Sequence, residues 1–224
     1  MPGRRRNGVS WERLPQTRSA AAYAEQKHAD QRRSDGTPFI EHPLEVATLL
    51  YHAGAPDHVI AAGLLHDTIE KAAVSASELQ TCFGPRITGL VLAVTDDERI
   101  GSYAARKAAL RRQVARAGDE ALAVFAADKL SKLRELQRDL AANPRTRVRG
   151  LRARRLTHYQ SSLALLQDRL PESPLVRELW DEFGSCVRAV SSRQPVAAGR
   201  RSGSPPSAEH TSPVVPGDRV DLGV

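Results

Sequence analysis

Apolar positions along the chain recur at helical spacing, and nowhere do they alternate long enough to make a convincing strand. The first helical period begins near Ser19 in "SAAAYAEQKHADQRR" and breaks at "SDGTPFIEHP", where Gly36 and Pro38 interrupt it. Pro43 then opens "PLEVATLLYHAG", which Gly54 closes, and "DHVIAAGLLHDTIEKA" follows with Asp57 as its N-cap. "SASE", Ser75 to Glu78, is a capping box for a short helix that stops at Phe83-Gly84. Pro85 starts the next helix, in which Ile87, Leu90, Val91 and Val94 form one stripe at i, i+3, i+4 and i+7. Longer helical patterns are predicted at about 101 to 117, 119 to 141, 147 to 170 and 174 to 190, separated by Gly118, by "ANP" at 142 to 144 and by Pro171. The expectation is an all-α domain over residues 19–190, preceded by a basic extension over 1–18. From Ser191 the text turns rich in Pro, Ser and Gly with no apolar periodicity, so residues 191–224 are expected to be a disordered tail.

Composition narrows this picture. A chain of 224 residues suits one domain plus extra length. With 41% hydrophobic but only 4% aromatic residues, its core must be built from Ala, Leu and Val, a mixture that favours helix over strand. The net charge of +7 and pI near 9.9 fit a polyanionic partner without singling out nucleic acid. Cys82 and Cys186 have no CxxC spacing, which indicates neither a disulfide framework nor a thiolate metal site and fits a reducing cytoplasm. No run approaches the roughly 18 apolar residues of a membrane span, and no apolar stretch follows the basic start, so a soluble protein is expected.

The candidate chemistry lies in "GLLHDTIEK", where His66 and Asp67 sit side by side after a small and apolar run. Neighbouring helix positions are about 100° apart, so the two can share an ion only over the edge between their faces, with other segments completing the shell. His42, in "FIEHP" where a loop enters a helix, and Asp128, interrupting the apolar stretch in "VFAADKLSKL", can supply the rest. Two imidazoles with two carboxylates suit Mn²⁺, Fe²⁺, Zn²⁺ or Mg²⁺ and leave positions for water and a phosphate oxygen. Glu70 stands i+4 from His66 and i+3 from Asp67 and is a candidate to orient or deprotonate the attacking water; a solvated helix-end glutamate is the alternative.

The ordered runs "HADQRRSDGTPFIEHPLEVATLL", "IAAGLLHDTIE", "FGPRITGLVLAVTDD" and "FAADKLSKLREL" resemble the HD-domain phosphohydrolase superfamily. Within it, they are similar to the hydrolase domain of the RelA/SpoT guanosine tetraphosphate enzymes and their small stand-alone relatives, over roughly residues 20 to 185. The resemblance implies an HD-type helical bundle, hydrolysis of a phosphorylated nucleotide, and Mn²⁺ held by His42, His66, Asp67 and Asp128. It further implies that Arg33 packs on the guanine base and that Arg106 and Lys107 form a basic pair facing the pocket. Each of these cations is otherwise an ordinary surface charge.

The departures from the family pattern lie around the nucleotide. Lys71 follows Glu70 where a second acidic residue is common. Asp128 is followed by Lys129, Leu130, Ser131 and Lys132 instead of R-x-H-N, and the arginine-lysine pair of the first loop is Arg33-Ser34. If Lys71 and Lys132 face the pocket, they favour a highly charged phosphate group over contacts specific to one nucleotide. The leading reading is a metal-dependent hydrolase that releases the 3′-pyrophosphate of a guanosine tetraphosphate-like nucleotide; the alternative is a catalytically silent HD module that binds a nucleotide or a partner. Six arginines in "RTRVRGLRARR", residues 145 to 155, open a third possibility, but no aromatic or motif there supports base readout, and nucleic acid is not the expected partner.

Overall fold

A 3-10 turn, Ser10–Arg13, leads into nine α-helices in the computed structural model, which describes residues 10–33, 35–142 and 149–191. They are α1 (Pro15–Lys27), α2 (Glu41–His52), α3 (Asp57–Leu65), α4 (Thr68–Ala72), α5 (Ala76–Val94), α6 (Tyr103–Ala117), α7 (Asp119–Ala142), α8 (Arg149–Arg169) and α9 (Pro174–Ser191). The expected all-α class is what forms: among the described residues the sole extended pairing is an isolated bridge between Arg32 and Pro38 in the α1–α2 loop.

The core sits around α3, in which every residue from Val59 to Leu65 is buried. A helix apolar on all sides has no solvent face to offer and becomes the centre of a bundle. Here α1, α2, α5 and α7 pack around it. Gly63 permits the close approach of α2: a Cβ there would lie 2.5 Å from Leu50 Cδ1 and 3.2 Å from Val46 Cγ1. The fully buried side chains are mostly leucines, with Phe125 the largest, as the low aromatic content requires.

Several boundaries differ from the sequence expectation, each for a local reason. The first helix starts at Pro15, not near Ser19, and Trp11 and Thr17 are buried, so residues 10–18 belong to the folded unit. Asp57 does not cap its own helix. Its carboxylate accepts from the backbone N–H of Gln16 (3.0 Å) and Thr17 (2.8 Å), so it caps α1 from the start of α3, joining two elements far apart in sequence. Ser75 does cap α5 by accepting from Glu78 N at 3.1 Å, but the Glu78 carboxylate turns to Tyr23 and Lys27 on α1 instead of closing the box. Gly84, with φ +77°, kinks α5 where the break was expected, and Ile87, Leu90 and Val91 of the predicted stripe are buried beyond it. The tail expected over 191–224 lies, from 192 on, outside the described residues.

Candidate active site

The helix predicted to run unbroken from Asp57 to Ala72 breaks at His66-Asp67, between α3 and α4. The Gly63 carbonyl, which a continuous helix would give to the Asp67 N–H, accepts instead from His66 Nδ1 at 2.8 Å. Asp67 then takes φ −95° and ψ 0°, and Thr68 Oγ1 donates to the Leu65 carbonyl at 2.7 Å. The break lets adjacent side chains point at one place, which the 100° step of a regular helix resists.

His42 arrives from the first turn of α2 and Asp128 from the buried middle of α7. His42 Nε2 lies 3.1 Å from His66 Nε2, 3.3 Å from Asp128 Oδ1 and 3.5 Å from Asp67 Oδ2. His66 Nε2 lies 3.4 Å from Asp128 Oδ1 and 3.3 Å from Asp67 Oδ2. All four side chains are buried; Asp67 Oδ2 has no hydrogen-bond partner, and Asp128 Oδ1 meets, besides the imidazoles, the Lys132 ammonium at 2.7 Å. His66 Nδ1 faces a carbonyl, which can only accept, so that nitrogen carries the hydrogen. His42 Nδ1 likewise donates to Ser131 Oγ at 2.8 Å, because the Ser131 hydroxyl is itself given to Glu45 Oε2 at 2.9 Å. Both Nε2 atoms therefore face each other and one carboxylate oxygen each of Asp67 and Asp128, where a shared cation or proton would sit. That donor set fits a divalent cation, with Ser131 and the Gly63 carbonyl fixing the imidazole tautomers.

The same groups draw positive charge toward the site. Burial opposes protonation of His66, yet the Asp67 and Asp128 carboxylates outweigh it and raise its pKa to about 10. Burial would also raise both carboxyls. His66 and Lys132 beside Asp67, and Lys129 and Lys132 beside Asp128, instead hold them well below the ordinary carboxylate range.

Glu70 is half-buried and accepts from the Asp96 backbone N–H at 2.6 Å. Burial, then the nearby Asp67 charge, pushes its carboxyl above the usual value, which suits a proton acceptor. Asp96 gathers the basic pair of α6: Lys107 Nζ donates to its Oδ2, and Arg106 Nε lies 3.7 Å from the same oxygen. Lys107 also lines a cleft of 680 Å³ with Tyr103, Arg111 and His158. Arg33 is held by Glu135 of α7 through Nε at 3.0 Å and Nη2 at 2.9 Å, which fixes its guanidinium; Ser34 lies outside the described residues. The two lysines expected to face the pocket part company. Lys132 Nζ sits 2.7 Å from Asp128 Oδ1 and 3.7 Å from Asp67 Oδ1, whereas the Lys71 side chain is exposed and makes no ion pair among the described residues.

The profile of the HD domain matches residues 20–156, more than half of the chain. The chain belongs to the HD domain family. Among curated relatives, this HD domain is 42% identical over 123 residues to the Homo sapiens guanosine-3′,5′-bis(diphosphate) 3′-pyrophosphohydrolase MESH1, spanning 53% of this chain and 68% of the relative. It is 36% identical over 122 residues to the GTP pyrophosphokinase rsh of Brucella ovis, covering 52% of this chain and 16% of that longer protein. Its fold matches the structure of a metazoan ortholog of SpoT that hydrolyzes ppGpp, with a TM-score of 0.64 and 28% identity over 76% of this chain and 95% of the other. A second match, lmo0812 from Listeria monocytogenes EGD-e, has a TM-score of 0.59 and 28% identity over 67% of this chain and 98% of the other.

Sequence reasoning missed several residues that serve this HD domain. Ser131 and Glu45 orient His42, Asp96 positions Glu70, and Gly63 supplies the carbonyl under His66. Glu45 had a legible signal, since it stands i+3 from His42 on one helix face. Asp96 had only its place just past an apolar stripe. His158 is buried at the cleft wall, and its Nδ1 lies 3.0 Å from Arg111 Nη1.

Proposed function

We propose that this chain is a divalent-metal phosphohydrolase that releases the 3′-pyrophosphate of guanosine tetraphosphate or a close relative. The observation that carries the reading is the convergence of His42, His66, Asp67 and Asp128, from α2, the α3–α4 break and α7, with Glu70 beside them. The substrate class is taken from the relatives, whose names specify this nucleotide and this bond. A divalent ion, Mn²⁺ foremost, would supply Lewis acidity toward a phosphoryl oxygen and a lowered pKa for water.

The protein's own groups then divide the work. Glu70, raised toward neutrality and held by the Asp96 N–H, takes a proton from the attacking water. The water oxygen adds at the phosphorus joined to the ribose 3′-oxygen, the P–O3′ bond breaks, and that oxygen leaves as the 3′-hydroxyl with the proton that Glu70 took up. Lys107 and Arg106 place positive charge for the departing pyrophosphate, and the cleft that Lys107 lines with Arg111 accepts the rest of a polyanion. Arg33, pre-set by Glu135, offers a planar cation for stacking on the base. A cytoplasmic setting agrees with two free cysteines, and no helix of the described residues is long and apolar enough to cross a membrane.

The test is turnover of a panel of nucleotides and simple phosphoesters with and without Mn²⁺, following pyrophosphate and nucleoside diphosphate. Metal-dependent release of pyrophosphate from guanosine tetraphosphate supports the reading. Stoichiometric nucleotide binding with no turnover on any member of the panel replaces it by the silent binding module.

A further inference from the structure

The Asp128 carboxylate carries two ammonium groups of different character. Lys129 Nζ lies 2.5 Å from Oδ2, is almost wholly buried, and stands 4.5 Å over the Phe125 ring. It neutralises the oxygen that faces away from the imidazoles and has little contact with solvent. Lys132 Nζ lies 2.7 Å from Oδ1, the oxygen within 3.4 Å of both imidazole Nε2 atoms, and 3.7 Å from Asp67 Oδ1. Its side chain is 37% exposed, so it can leave for water.

We infer that Lys132 is a resident counter-cation that competes with the divalent ion for Asp128 and Asp67, and so sets how tightly this chain holds its metal. The inference rests on the metal-site reading above. A divalent ion on Asp128 Oδ1 would stand beside the Lys132 ammonium, and two cations on one carboxylate oxygen repel strongly where water is scarce. Loading therefore includes displacement of Lys132 toward solvent, and the free energy of that displacement is subtracted from ion affinity. Lys129 cannot act this way, because its burial against Phe125 holds it on Oδ2. Ion occupancy in this chain then follows free ion concentration over a range in which an unopposed four-ligand site would already be saturated.

Calorimetric titration of Mn²⁺ into chelator-stripped wild type, Lys132→Gln and Lys132→Arg tests this without any activity assay. The neutral variant should bind about 10- to 100-fold more tightly, the scale on which groups around a ligand set act, while the charge-retaining variant should not tighten. Melting curves give a second readout. Stripped Lys132→Gln should melt below wild type, since Asp67 and Asp128 lose one of the charges that offset them, and saturating Mn²⁺ should reverse that order. A Kd for Lys132→Gln equal to or weaker than wild type overturns the inference and leaves the metal site standing. No Mn²⁺ binding by either protein, with helical circular dichroism intact, overturns the metal site and the inference with it.

Discussion

The Nε2 atoms of His42 and His66 face each other across 3.1 Å while each ring's Nδ1 is committed elsewhere, to Ser131 Oγ and to the Gly63 carbonyl. Two lone pairs at that distance repel, so either a proton or a metal ion lies there beside the Asp67 and Asp128 oxygens, and a metal ion would displace the proton. Wild type equilibrated with saturating Mn²⁺ should accordingly carry about one ion per chain. His66→Ala and Asp67→Ala should each lose most of it by elemental analysis, and equal metal in all three proteins would remove the site.

Glu70 should be separable from metal binding, since its carboxylate is tied to the Asp96 N–H and not to the imidazoles. Glu70→Gln keeps the shape and loses the proton acceptor. It should lower kcat on every hydrolysed substrate by about 10²-fold or more while metal content and melting temperature stay near wild type. A drop in metal content of the same size would recast Glu70 as a ligand.

Gly63 links packing to chemistry, because a Cβ at this position would press on Leu50 and Val46 while the residue's carbonyl orients His66. Gly63→Ala should destabilise the fold by about 1–3 kcal/mol through overpacking, and should weaken Mn²⁺ binding as α3 shifts under the imidazole. Urea unfolding with calorimetry on the same samples checks both. A change in stability with unaltered affinity would show that His66 does not depend on the Gly63 backbone.

His158 gives a pH dependence with a definite sign. Burial, then the charges of Lys129, Lys107 and Arg111, lowers its pKa from 6.5 to about 3. Between those values the unfolded state binds a proton that the folded state refuses. Stability is thus fully present above pH 6.5 and falls as the solution is acidified toward pH 3. The slope is about 1.4 kcal/mol per pH unit, or about 2 kcal/mol lost from this group by pH 5. The neutral His158→Gln should lack that increment, so its stability profile from pH 7 to 5 should be flatter than wild type by about that amount. Parallel profiles would mean that the ring protonates in place.

The sequence by itself determined the all-α class, most helix ends and the two carboxylates, Asp67 and Asp128, that face the imidazoles. These follow from local physics: apolar period, Gly84 and Gly118 where the helical path stops, and a carboxylate at Asp128 too costly to bury without a partner. Only the tertiary structure decided where those residues point. Periodicity predicts one helix from Asp57 to Ala72, because it cannot register that the His66 side chain takes the Gly63 carbonyl and breaks the turn. Asp57 reads as the cap of its own helix, yet it caps α1, since a carboxylate serves whichever open N–H groups packing brings near. Lys71 and Lys132 look alike along the chain. One is exposed, and the other lies between two buried carboxylates, because the crossing of α7 with the α3–α4 break, and no local signal, determines which lysine meets the charge.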